Sequence, residues 1–135
     1  MKTTFALFVA STLLGGVNLA SAQDRVKLSP QMFKVLLENE HVRVYEFRAK
    51  AGEKEPMHSH PAMVVYTLSG DYRIKLTTPD GKSEEDQVNV GTALWVDAVT
   101  HIYENLGPGD AHELIIEMKA PTATKKTPAK KEVKK

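Results

Sequence analysis

The 135-residue chain contains no cysteine. That excludes disulfides, thiolate zinc sites and iron–sulfur clusters, and it excludes a lipid-modified cysteine behind an export signal. Any metal must be held by nitrogen and oxygen donors, with a thioether as a weak addition. Aromatic residues make up only 7% of the chain. Nowhere do they interleave with clustered Lys and Arg, so no nucleic-acid partner is expected. No apolar run reaches the ~20 residues of a transmembrane helix. The nearest approach, Phe5 to Val17, is interrupted by Gly15-Gly16 and followed by Asn18.

That short run reads instead as part of a secretory signal peptide over residues 1–22. Lys2 supplies the positive start, and Ala20-Ser21-Ala22 the small-residue cleavage site before Gln23. The mature protein is therefore expected to be periplasmic or secreted. The net charge of +1 conceals an acidic body and a basic end. Gln23 to Met118 carries ten basic and sixteen acidic residues, whereas the chain from Lys119 onward carries seven lysines and one acid. Residues 120–135 are mostly Lys, Ala, Thr and Pro. They hold too little apolar surface to offset the entropy of ordering, so a disordered Lys-rich tail is expected.

One domain, residues 23–119, lies between these ends. Its apolar residues fall in short runs separated by turn signals. Phe33 to Leu37, Val42 to Arg48, Val64 to Leu68, Tyr72 to Thr77, Val88 to Val90, Ala93 to Val96, Ile102 to Glu104 and Glu113 to Met118 read as strands. Lys50-Ala51-Gly52-Glu53, Ser69-Gly70-Asp71, Pro79-Asp80-Gly81 and Asn105 to Gly109 read as turns. The competing assignment is a helix over Pro30 to Glu38, which Ser29-Pro30 would start. The spacing of the strands predicts an all-β sandwich or barrel.

His58 and His60 stand two residues apart, so on a strand they project from the same face. His101 lies about forty residues on, at the start of another strand. Three imidazoles converging in a barrel make an open site for a divalent transition metal: Zn, Fe, Mn, Ni or Cu. Gly52, five residues, then His58-Ser59-His60, with Gly70 closing, resembles the first motif of the cupins. Gly91, then His101, three residues and Asn105 resembles the second. The resemblance covers roughly Val42 to Met118. It implies a double-stranded β-helix (a jelly-roll barrel) of the small RmlC-like type, with His58, His60 and His101 as metal ligands. The cupin motif usually places a metal-binding glutamate seven residues before the closing glycine, and here that position is Met63. The resemblance thus implies a three-His centre, as in some thiol-oxidising cupins.

The remaining candidates are weaker. Met63 is read as a core filler, and His41 and His112 as surface or loop residues. Asn105 is read as fixing the turn into Leu106-Gly107, with a hydrogen bond to a ligand as the alternative. Trp95 and Tyr66 are either packing residues or part of the pocket wall, packing being the commoner role. Glu53, Glu55 and Glu104 are the acid–base candidates. Glu55 is expected at the pocket mouth, and Glu104 on the face opposite His101 and Tyr103. The expected function is an exported metal-binding cupin, either a metal-dependent enzyme of oxygenase or isomerase type acting on a small molecule, or a non-catalytic binding module. A metal-free barrel is the third reading. Three neutral imidazoles leave the ion its full charge, which favours anionic substrates. A homodimer formed through sheet edges is the expected assembly.

Overall fold

The computed structural model describes residues 24–120. The leader expected over 1–22, and all but the first residue of the expected tail, lie outside the described residues. A four-residue helix, α1 (Arg25–Leu28), opens this region, with Asp24 as its N-cap accepting from the Val26 amide. Nine strands follow. They are β1 (Phe33–Glu38), β2 (Val42–Ala49), β3 (Lys54–His60), β4 (Met63–Ser69) and β5 (Tyr72–Thr77), then β6 (Ser83–Val88), β7 (Ala93–Val96), β8 (Val99–Pro108) and β9 (Ala111–Met118).

The strands form two antiparallel sheets, ordered β1-β2-β9-β4-β7 and β3-β8-β5-β6. This is the all-β double-stranded β-helix that the motif resemblance implies. Distant segments pair at its centre: β2 runs against β9 from Val42↔Met118 to Ala49↔Ala111. Alternation then decides what faces inward. Tyr45, Phe47 and Ala49 of β2 point into the barrel, as do Ala111, Glu113, Ile115 and Glu117 of β9. Met32, Phe33, Met63, Val65, Tyr72, Val88 and Tyr103 complete the apolar core. Phe47 meets the edge of Tyr103 at 5.2 Å between ring centroids, and so joins the two sheets across the interior.

The strand expected over Phe33 to Leu37 is present: Phe33–Glu38 pairs with β2 as an edge strand, which excludes the competing helix over Pro30 to Glu38. Two strand bounds are corrected. The strand expected near Val88 to Val90 is β6, which ends at Val88. Its polar residues are held by pairing with β5 rather than by burial. The turn expected over Asn105 to Gly109 is shorter, since β8 continues to Pro108 through a register shift opposite Arg73 and Ile74.

Candidate metal centre

His58 and His101 are direct partners across the β3–β8 ladder, and His60 stands two residues along from His58. All three side chains are buried, while Ser59 and Thr100 between them turn the other way and share a hydroxyl hydrogen bond of 2.6 Å. The ring centroids lie 4.8 Å apart for His58 and His101, 5.1 Å for His60 and His101, and 5.8 Å for His58 and His60. One nitrogen from each ring falls within 4.8 Å of the other two.

Backbone carbonyls orient two of the rings. His58 Nδ1 donates to the Pro56 carbonyl at 2.9 Å, and His60 Nδ1 donates to the Pro61 carbonyl at 2.8 Å. A carbonyl can only accept, so each Nδ1 carries the proton and each Nε2 keeps its lone pair. Both Nε2 atoms are buried and have no hydrogen-bond partner. Unpartnered buried acceptors are uncommon in folded proteins, and here they converge on one point. Burial also keeps the rings neutral. It lowers His58 to about 3, with Arg25 adding to the effect against the Pro56 bond. It lowers His101 to about 4, with His60 and Arg25 contributing, and it depresses His60 as well. Neutral, oriented imidazoles with free Nε2 lone pairs are what a divalent transition metal requires.

Beside the triad lies a buried ion pair that sequence reasoning missed. Arg25 donates to both oxygens of Glu55, from Nε at 2.9 Å and from Nη2 at 2.6 Å. It also reaches the Tyr45 hydroxyl and the Met63 thioether, and its guanidinium lies 4.9 Å from the Phe33 ring centroid. Glu55 Oε1 lies 3.4 Å from His58 Nδ1. Tyr45 donates onward to Glu117 at 2.6 Å.

Two spaces meet at His101. Outside is an open cleft of about 760 Å³, whose lining includes Leu76, Asp80, Lys82, Glu84 and Asp97 as well as His101. Inside is a cavity of about 80 Å³, walled largely by apolar side chains and reached by Arg25 and Glu113.

Neither a protein-family model nor a curated protein sequence matches the chain. Solved structures do match. A cupin domain from Bordetella pertussis is 29% identical with a TM-score of 0.58, the match covering 65% of this chain and 92% of that one. An RmlC-like cupin with a double-stranded β-helix fold, from Methanocaldococcus jannaschii, is 16% identical with a TM-score of 0.51, covering 66% and 80%. This chain has the cupin fold. The same barrel recurs in Fe(II)-HppE, solved with an alternative substrate, at 11% identity and a TM-score of 0.50, covering 64% and 48%. At that distance the likeness concerns fold alone.

Within this barrel the three expected histidines come together. Met63 is buried in the core, in contact with Arg25 rather than a carboxylate. Asn105 is fully buried and ties the strand end: Oδ1 accepts from the Gly107 amide, and Nδ2 donates to the Ala49 and Gly109 carbonyls. Glu104 faces away from the triad, as expected, and pairs with Lys54. Glu55 is not at the pocket mouth but fully buried. A bulge between Glu55 and His58 breaks the alternation and turns both inward. Glu53 accepts from the Lys50 amide in the preceding turn. Trp95 and Tyr66 are exposed, and neither lines the cleft or the cavity described above. His41 is exposed. His112 is a strand residue, half-buried, bonded to Glu46 at 2.7 Å and to Ser69 at 3.1 Å.

Proposed function

We propose that this chain is an exported protein that holds one divalent transition metal through His58, His60 and His101 and presents it to a small molecule arriving through the outer cleft. The observation that carries the reading is the convergence of two buried, unpartnered Nε2 atoms on a third imidazole. With three protein ligands a bound ion would have open positions and would act as a Lewis acid toward a carbonyl oxygen.

The chain's own residues set the conditions. The Pro56 and Pro61 carbonyls fix the tautomers of His58 and His60, and Arg25 disfavours protonation of the imidazoles. The cleft carries Asp80, Glu84 and Asp97 against Lys82, so its field disfavours anions approaching from outside. A neutral or cationic small molecule therefore fits better than the anionic substrate expected from three neutral ligands alone. Metal-dependent turnover of oxygenase or isomerase type is the enzymatic form of this proposal, and a non-catalytic binding module is the alternative.

Cobalt(II) titration tests the centre. A visible absorption band should saturate at one equivalent, and a screen of small neutral carbonyl and hydroxyl compounds on the loaded protein then separates turnover from binding. If no band develops, the reading fails. Pairing of two copies is proposed on the exposed Leu36 and Leu37 of edge strand β1 and Trp95 of edge strand β7, to be checked by sedimentation.

A further inference from the structure

The outer face of the five-stranded sheet carries a chain of polar contacts that shares no residue with the metal centre. His112 on β9 stands directly opposite Arg48 of β2 on one side and Ser69 of β4 on the other. A bulge between Thr67 and Ser69 makes the second pairing. Without it Ser69 would stand opposite Ala111, which faces the core. Ser69 Oγ lies 3.1 Å from His112 Nδ1, and His112 Nε2 lies 2.7 Å from Glu46 Oε1. Arg48 holds the same carboxylate oxygen, from Nε at 3.0 Å and from Nη2 at 2.5 Å.

Charge sets the direction of each bond. Arg48, and then His112, hold the Glu46 carboxyl below its ordinary range, so it only accepts. Nε2 of His112 therefore carries the ring proton, and Nδ1 keeps a lone pair for the Ser69 hydroxyl. A hydroxyl in hydrogen-bond reach of a base that a carboxylate orients is the arrangement of an activated nucleophile. The His112 side chain is sheltered at 19% exposure, whereas Ser69 is open to solvent.

Ser69 and His112 line a cleft of about 650 Å³ together with Arg48, Lys50, Glu53 and Asp110. It shares no lining residue with the cleft or the cavity at His101. Its two acids are turned to backbone amides, Glu53 to that of Lys50 and Asp110 to that of Ala51. Lys50 brings positive charge into the cleft, which favours an oxygen gaining negative charge there.

We propose that Ser69, His112 and Glu46 form a nucleophilic serine site for small polar carboxylic esters. Ser69 Oγ attacks the ester carbonyl carbon as its proton passes to His112 Nδ1. The bond from that carbon to the alcohol oxygen then breaks, and the alcohol leaves with the proton. Water adds to the acyl carbon and gives a proton to His112. The bond to Ser69 Oγ breaks as Ser69 takes that proton back. Ester and water become carboxylic acid and alcohol, with no further co-reactant. Glu46 is a positioning residue: it holds the ring tautomer and offsets the imidazolium charge between the two proton transfers. The polar lining suits a short acyl group rather than a long hydrocarbon chain.

A fluorophosphonate, which reacts with activated serine hydroxyls, is the covalent probe, and phenyl acetate is the substrate. Peptide mapping by mass spectrometry should find the phosphonyl group on Ser69 in wild type. Labelling should slow on the order of a hundredfold in His112→Gln, the loss of a positioned general base. In Glu46→Gln it should also slow, and its pH profile should move to lower pH because the imidazolium loses its carboxylate. A structural role alone would leave that profile in place. Ser69 is exposed, so Ser69→Ala keeps the fold, and its hydrolysis of phenyl acetate should drop to the buffer rate. A chelator should leave wild-type hydrolysis unchanged, which separates it from metal chemistry at His58, His60 and His101. An unmoved pH profile in Glu46→Gln would remove Glu46 from the site. No label on Ser69, equal labelling of wild type and folded His112→Gln, or hydrolysis that survives Ser69→Ala or is abolished by the chelator would each overturn the proposal.

Discussion

Arg25 grips Glu55 through two contacts, at 2.9 and 2.6 Å, inside the barrel and beside His58. The pair pins the short N-terminal helix to β3 and fills the space against Met63, the position where the cupin motif usually carries a carboxylate ligand. Arg25 and Glu55 are each at most 5% exposed at the side chain, so neither charge is tolerable without the other.

Arg25→Ala should therefore destabilise the domain by about 3–5 kcal/mol, since it leaves the Glu55 charge buried and alone. The double variant Arg25→Met/Glu55→Leu should recover most of that loss, because no unpaired charge remains. Urea unfolding of the two variants and wild type measures both. Equal destabilisation by the single and the double change would show that packing, not charge pairing, sets the value.

Asn105→Ala should lower stability by roughly 3 kcal/mol. It strands the buried Gly107 amide and Ala49 carbonyl and the part-buried Gly109 carbonyl, and each unmet buried group is unfavourable by about 1–3 kcal/mol before water relieves any of it. Chemical denaturation gives the number, and a loss below about 1 kcal/mol would mean that water replaces the side chain.

The glycines of the two motifs should differ sharply. Gly70 has φ +90° and a Cβ there would lie 2.1 Å from the Asp110 carbonyl oxygen, whereas Gly91 has φ +77° with open space around it. Gly91→Ala should forfeit about 1–2 kcal/mol for its left-handed backbone. Gly70→Ala adds a backbone clash and should exceed roughly 3 kcal/mol. Thermal melts of the two single variants rank them, and equal melting temperatures would contradict the close approach.

Acidification should weaken the metal-free protein. His58 sits near 3 and His101 near 4 in the fold, both below the ordinary 6.5. Above pH 6.5 both folded and unfolded chains hold these rings neutral. Below it the unfolded chain binds protons first, so stability falls from pH 6.5 down toward the folded values. The buried Glu55 and Glu113 are shifted upward and act in the opposite sense, favouring the fold at low pH and losing that advantage as pH rises. A comparison with His58→Leu isolates the imidazole: between pH 6 and 4.5 the variant's stability should fall less steeply, by about 1 kcal/mol per pH unit. Parallel curves would show that His58 is not held neutral by the fold.

Much of this molecule is readable from its residues. Period-two alternation alone places His58 and His60 on one face, and the second motif supplies His101 at the position that pairs with His58. What escapes has identifiable causes. Glu55 is lost because the bulge around Pro56, a residue without an amide proton to offer the ladder, reverses the alternation between Glu55 and His58. Arg25 is lost because four helical residues carry no periodic signal and its partner lies thirty residues away. Glu113 hides in His112-Glu113-Leu114-Ile115-Ile116-Glu117, where three successive apolar residues leave the inward face undecided and the barrel chooses the acids. Strand β6 hides because Ser83-Glu84-Glu85-Asp86-Gln87 is polar throughout and owes its conformation to β5.

The central claim is that His58, His60 and His101 share one ion. Metal content of purified wild type, His58→Ala and His101→Ala, each equilibrated with the same divalent metal and freed of excess, tests it directly. The account predicts about one ion per chain in wild type, as expected for a single three-imidazole site, and a near-complete loss in each folded variant. Equal metal content in all three proteins would contradict it.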